Sequence, residues 1–377
     1  MALRLRRIRP RIRLSGIPGR SAVGPPPYPV PHRHPAGCGR PGGWLLGGLP
    51  APQPRWLAAD RHHRAARVGC APRPARPCSR RYPGAFHDCR AGNVIRVERV
   101  GPLATIQDLG RPGWFDSGVG ISGAADRAAL RLANRLVGNP EGAAGIEVLL
   151  GGLELSAQRH LTLAVTGAPA PAFVDDRPVG PASVLELEEG QHLRLGLAGT
   201  GLRSYVAVRG GIDIAPVLGS RSRDTMSGIG PDPLRPGDVL PVGSPPRTYP
   251  IVDVAPVPPP GGAPLTIRAL LGPRDDWFTD PGALFAGEWM VSSDTDRVGA
   301  RLDRRIGPPL ERRIQDELPT EGVALGSIQV PPSGQPVVFL ADHPITGGYP
   351  VVAVVIDADV DAMAQARPGQ TVRFRRY

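Results

Sequence analysis

The chain reads as mainly β, built from barrels or sandwiches rather than from a doubly wound parallel sheet. Three observations predict this. Short runs of β-branched and apolar residues, bounded by Gly and Pro, recur from Val94 to the C-terminus. A helical repeat appears once, over residues 125–136, where Leu130, Ala133, Leu136 and Val137 share a face and Gly138-Asn139-Pro140 stops the run. A Pro/Gly-rich stretch, 255–264, divides the strand-rich sequence in two. Many short strands with one clear helix favour closed or stacked sheets.

Taken in order, residues 94–100 alternate as an edge strand should. Asp108-Leu109-Gly110-Arg111-Pro112-Gly113 forms a turn, and Gly118–Gly123 a glycine-rich loop that opens the helix. Asp126 near the helix start complements the helix dipole or contacts a ligand. Strands are expected over 145–150, 161–166, 184–187, 192–197, 203–208 and 239–242. A second strand-rich unit runs from Leu265 to the end. Within it, 337–340 and 351–356 are pure β-formers, so the polar clusters 326–336 and 342–350 are expected on strand-connecting loops, where binding chemistry is usually placed. Ordinary turn chemistry is the competing reading there, with Gly347 and Gly348 supplying unusual φ. Four segments result: 1–93, a disordered Arg/Pro/Gly-rich leader; 94–254, a first β unit; 255–264, a linker; and 265–377, a second β unit.

The pI of about 10.5 suggests nucleic acid until charge is read by position. Residues 1–93 hold 18 Arg against Asp60 and Asp88, a net of +16, whereas 94–377 hold 27 Arg and 32 acidic residues, a net of −5. The foldable part therefore offers no general attraction to phosphate backbones. The leader lacks periodicity and apolar content for a core, so disorder is expected. Its Arg-rich, acid-poor start resembles a transit peptide, but Pro and Gly spoil an amphipathic helix; its charge also suits an RNA-binding arm. We favour an over-extended reading frame whose true start lies near Val94, because the internal methionines Met226, Met290 and Met363 all fall inside the fold. A native peptide from 21–90 found by mass spectrometry contradicts this. No run reaches membrane-spanning length, and a soluble cytoplasmic protein is expected.

The residue inventory narrows the chemistry. There is no lysine, which excludes a Schiff-base lysine, a P-loop lysine and a biotinyl-lysine in this chain. All four cysteines precede residue 94, so the foldable part has no thiol nucleophile or Cys-zinc site. His160, His192 and His343 are widely spaced, without a metal-ligand pattern; His160 and His192 read as surface or edge residues. Chemistry there falls to carboxylates, hydroxyls, Arg, amides and backbone N–H groups.

Ordered motifs then add a resemblance. Gln107-Asp108-Leu-Gly110-Arg111-Pro-Gly113, Ser122-Gly123-Ala-Ala-Asp126, Asn134 through Gly138-Asn139-Pro140-Glu141, and Glu147 follow one another closely. Arg209-Gly210-Gly211-Ile-Asp213, Gly219-Ser220-Arg221-Ser222, Gly326-Ser-Ile-Gln329 and Thr346-Gly-Gly-Tyr349-Pro350 complete the series. From about residue 94 to the end, the chain resembles the biotin-dependent carboxyltransferase family that includes the C component of bacterial 5-oxoprolinase and the second allophanate-hydrolase-type protein. The resemblance implies two cyclophilin-like β-barrel units. It implies a component that works with the A and B subunits of 5-oxoprolinase in the ATP-dependent opening of 5-oxoproline to glutamate. Related domains transfer carboxyl from carboxybiotin to an amide or urea nitrogen, and some members bind and antagonise a histidine-kinase inhibitor without catalysis. Two departures stand out: Val351 follows Gly-Tyr-Pro where many members carry a basic residue, and His343 occupies a position commonly not His.

On this reading Asp342, Asp108 and Asp126 are the candidate catalytic carboxylates, and Arg111, Ser122, Arg221, Gln329, Thr346 and Tyr349 the candidate substrate-binding residues. Arg111 or Arg221 suits a substrate carboxylate through a bidentate pair. Any of the three aspartates can exchange a proton if burial raises its pKa. Asp342, Thr346 and Tyr349 are expected near Asp108, Arg111, Ser122 and Asp126. Neighbouring genes for homologues of the A and B subunits favour the enzyme; a kinase-inhibitor neighbour favours the antagonist; a biotin carboxylase and carrier favour carboxyl transfer.

Overall fold

The computed structural model describes residues 94–258 and 264–377. The expectations for 1–93, and for 259–263 of the 255–264 linker, lie outside the described residues. The first half carries β1 (Val94–Arg99), β2 (Leu103–Gln107), α1 (Arg127–Leu136), β3 (Gly145–Leu149), β4 (Glu154–Ala157), β5 (Leu161–Gly167), β6 (Ala172–Val174) and β7 (Arg177–Val179), then β8 (Val184–Leu187), β9 (His192–Leu195), β10 (Arg203–Val208) and β11 (Val239–Pro241). These strands form two sheets, ordered β11-β1-β4-β9-β6-β7 and β2-β3-β10-β5-β8. Alternation explains their stacking. Ile95, Val97, Leu155 and Leu193 face inward from one sheet and meet Ile106, Ile146, Leu163 and Val206 from the other, all in one buried cluster.

β1 is not an edge strand. It pairs with β11 on one side and β4 on the other. Its alternation reflects one solvated face, a pattern that an interior strand of an antiparallel sheet shares with an edge.

The second half carries β12 (Leu265–Leu271), α2 (Ala283–Ala286), β13 (Glu288–Val291), β14 (Gly299–Ile306), β15 (Glu321–Gly322), β16 (Ser327–Gln329), β17 (Val337–Phe339), β18 (Thr346–Gly347), β19 (Val351–Val355), α3 (Asp357–Ala364) and β20 (Thr371–Arg376). Seven of its strands close a barrel, in the order β12-β19-β16-β17-β14-β13-β20. Trp289, Ile328, Val338, Val352 and Phe374 fill its interior. The molecule is thus mainly β with few short helices, as the sequence predicts. Gln329 lies on β16 rather than on a loop. Neither Gly347 nor Gly348 has positive φ. Gly347 instead packs closely: a Cβ there would meet the Gln329 amide nitrogen at 2.5 Å, so the end of that side chain would have to move.

One face of the β2-β3-β10-β5-β8 sheet positions the polar site. Its inner face supplies core, yet its outer face is buried too. There Thr105, Glu147, Tyr205 and Thr166 stand opposite one another across four strands. Helix α1 covers one end of that row, with the Thr166 hydroxyl donating to the Ala129 carbonyl at 2.7 Å. Side chains of the second half reach the rest of it.

Candidate functional site

Glu147 is the centre of the row. Its Oε2 accepts from the Tyr205 hydroxyl (2.8 Å) and from the Ala125 amide at the entry to α1 (3.0 Å). Arg297, from the turn between β13 and β14, donates Nη1 to Glu147 Oε1. Arg203 Nε lies 3.5 Å from the same oxygen. Arg297 also donates Nε and Nη2 to the two oxygens of Asp342, at 2.8 and 3.0 Å, and Nη2 to the Gly123 carbonyl. The two guanidinium groups hold the Glu147 carboxyl below the usual carboxylate range despite full burial. Burial alone would lower the pKa of Arg297, but Glu147 and Asp342 outweigh that and raise it.

Asp342 is 2% exposed. Beyond Arg297, it accepts from Ser122 Oγ (2.6 Å) and from the amide and hydroxyl of Thr225 (2.9 and 2.7 Å). Burial pushes its pKa up, but Arg297 and these donors prevail and lower it. It therefore remains an anion with both oxygens fully engaged. Asp108 is similarly occupied: Ser220 Oγ and Gly110 N–H bond Oδ1, and Arg221 N–H bonds Oδ2 at 2.6 Å. These two expected catalytic carboxylates tie loops together.

Asp126 differs. It caps α1 by accepting from Ala129 N–H (2.9 Å), and its other oxygen accepts from the Gln365 amide (2.7 Å). Burial dominates and pushes its pKa to about 6. Asp126 and Gln365 line a cavity of about 410 Å³ with Leu132, Val257 and Leu265.

A second cavity, of about 520 Å³, opens where the halves meet. Its polar lining includes Thr105, Glu147, Arg203, Thr225, Asp296 and Arg297; Leu149, Leu202, Met226 and Val298 are among its apolar walls. Apolar walls with a few convergent polar groups are the usual make-up of a small-molecule site. Gln365 links the two cavities, because its Oε1 accepts from the Leu202 and Arg203 amides at 2.8 and 2.9 Å.

None of the nine expected residues lines the junction cavity. Ser122, Asp342 and Asp108 stand behind it, with Ser122 at φ 56°, the left-handed region that favours glycine. Arg111 is 1% exposed; its Nη2 donates to the Ser222 carbonyl, while Nε and Nη1 find no hydrogen-bond partner. The Arg221 guanidinium is committed to the Ile214 carbonyl and Asp213. Gln329, on barrel strand β16, donates to the Tyr349 carbonyl at 2.9 Å, and Thr346 is exposed on β18, which pairs with β15 outside the barrel, so these three stand apart from the junction. The His343 ring stacks on Phe339, bonds the Pro344 carbonyl through Nδ1, and has its pKa lowered chiefly by burial. Sequence reasoning missed Arg203, Arg297, Thr225 and Gln365. A buried Arg on a strand such as β10 was the available signal, since burying it requires a carboxylate partner. Among the described residues no group of His, Cys, Asp and Glu could hold a metal ion.

A two-part β protein with a balanced Arg–carboxylate network at its junction is the class that this geometry defines. Residues 117–376 match the model of the carboxyltransferase domain, subdomain A and B. The chain belongs to that family. It is 39% identical over 290 residues to the C component of 5-oxoprolinase from Escherichia coli (strain K12), covering 74% of this chain and 90% of that protein. It is 32% identical over 311 residues to a urea amidolyase of Lachancea kluyveri, of which it covers 17%. The crystal structure of TTHA0988 superposes with a TM-score of 0.68 at 35% identity, over 77% of this chain and 56% of that one. The chain thus spans little more than half the length of that solved relative.

Proposed function

We propose that this chain is a subunit of an ATP-dependent 5-oxoprolinase complex that opens 5-oxoproline to glutamate, working in the cytoplasm with homologues of the A and B subunits. The observation that carries this reading is the 39% identity over 90% of the 5-oxoprolinase C component of Escherichia coli. The family match from 117 to 376 takes in Ser122, Glu147, Arg203, Arg297 and Asp342, so the whole junction network falls within it. The junction cavity would receive the substrate or its activated form. Arg203 and Thr105 present polar groups to a carbonyl oxygen, and the apolar walls accept a small ring. Asp126, with a pKa near 6, lines the neighbouring cavity and joins the junction through Gln365, whereas Asp108 and Asp342 hold the loops that frame the site. Arg111, Ser122 and Arg221 act in support of those loops, while Gln329, Thr346 and Tyr349 stand apart from them. With no lysine, this chain has no P-loop for ATP, and phosphoryl chemistry falls to the partners.

The urea amidolyase relative supports a second reading, carboxyl transfer from carboxybiotin on a partner carrier to a urea or amide nitrogen. Carboxybiotin would supply the transferable carboxyl group; Arg203 and Thr105 would face its carbonyl in the same cavity.

Co-purifying the chain with the A and B homologues, and following 5-oxoproline-dependent ADP release, tests the proposal. Turnover is expected with all three and none with this chain alone. Undiminished turnover when this chain is omitted overturns it; turnover with urea or an amide and a carboxylated biotin carrier instead transfers the assignment to the second reading.

A further inference from the structure

We propose that Arg297 is a positioning residue that assembles the site from the two halves of the chain. The inference rests on the functional reading above only for its activity readout. Arg297 belongs to the second half, and its side chain is 4% exposed. Its guanidinium binds three segments far apart in sequence: Glu147 on β3, the Gly123 carbonyl beside Ser122, and Asp342 after β17. Each partner fixes something further. Glu147 fixes the Ala125 amide at the entry to α1. Asp342 fixes the Thr225 loop and the Ser122 hydroxyl, and so holds Ser122 in a backbone conformation that a non-glycine residue seldom adopts.

The geometry needs a fork. Nε and Nη2 grip both oxygens of Asp342 while Nη1 reaches Glu147. A lysine ammonium carries one charge at one point and cannot span both carboxylates in this way. Without the fork, Asp342 loses its direct ion pair, and the only cation left to Glu147 is Arg203, at 3.5 Å. Buried carboxylates left so poorly matched pull their loops toward water. Two walls of the junction cavity, Thr225 and Glu147, then shift together, although neither adjoins residue 297 in sequence.

The test compares wild type, Arg297→Lys and Arg297→Ala in the complex assembled with both partners. Misplacement by about 1 Å costs about 10²-fold in rate. The expected result is a loss of that order in kcat with KM little changed, and partial recovery of Arg297→Ala by added guanidinium. Amide hydrogen exchange on the full chain gives a readout independent of activity. The Ala125 and Thr225 amides, bonded to Glu147 and Asp342, should lose protection in both variants while β5 and β10 keep theirs. Uniform loss of protection, or unfolding of both variants, makes Arg297 a general folding residue and overturns the proposal. Unchanged protection at both amides also overturns it. Should the wild-type complex fail to turn over 5-oxoproline, the functional reading falls, and the exchange pattern still decides the role of Arg297.

Discussion

At the scale of single residues, three buried carboxylates behave in two ways. Glu147 and Asp342 face guanidinium groups and stay ionised; Asp126 has no guanidinium beside it, and its burial outweighs the hydrogen bonds from Gln365 and Ala129, so it holds its proton to about pH 6. Asp108, ringed by hydroxyls and amides, ties the 108–111 turn to the Ser220–Ser222 segment. A raised folded pKa means that the folded chain binds the proton more tightly than the unfolded one. Asp126 therefore contributes stability that is fully present below about pH 4 and is lost as pH rises through 6, amounting to about 3 kcal/mol across that window. Glu147 and Asp342 have the opposite sign, contributing at neutral pH and losing that contribution as pH falls through their lowered values. Asp126→Asn keeps a helix-capping side chain, so its Tm relative to wild type should rise as pH goes from 5 to 7. A Tm difference independent of pH contradicts this. Ser122, Asp126 and Asp342 are legible in the sequence because each sits in a motif with its own local signature. Arg297 is not. A single Arg in Asp294-Thr-Asp-Arg looks like any solvated loop charge until the second half is docked on Glu147.

At the scale of elements, strand alternation locates the core but not the site. Strands 184–187 and 203–208 are readable to the residue, and 145–150 and 161–166 to within one. β10 is buried on both faces, and its sequence alone does not say which face packs hydrocarbon and which packs Arg203 and Tyr205 against Glu147. α3 escapes a sequence reading because its acidic alternation, Asp357-Ala-Asp-Val-Asp, lacks a helical apolar face, yet this helix leads into the Gln365 clasp on Arg203 and Asp126. On the barrel, the sequence marks Gly347 as a turn former, whereas the structure assigns it to close packing on β16. Gly347→Ala should press on the Gln329 amide, break its bond to the Tyr349 carbonyl and destabilise the chain by about 1–3 kcal/mol in chemical denaturation. Unchanged stability would mean that the Gln329 side chain yields freely.

At the scale of the whole molecule, each half has its own large buried cluster among the described residues, and a charged seam of Glu147, Arg297 and Asp342 joins them. Residues 94–377 expressed alone should fold, with circular dichroism dominated by β structure; a spectrum of coil or helix contradicts this. Their net charge of −5 predicts no salt-sensitive DNA binding at sub-micromolar affinity. The central claim is that the seam between the halves is where this family member handles its ligand. Met226 gives the most direct access to it, because it lines the junction cavity while remaining 48% exposed, so a larger side chain there can narrow the cavity without overpacking a core. The decisive measurement is 5-oxoproline-dependent turnover of the assembled complex carrying Met226→Trp, beside wild type, with Tm as the control for folding. The account predicts a large fall in turnover at an unchanged Tm. Wild-type turnover by a folded Met226→Trp complex would place the chemistry elsewhere and contradict it.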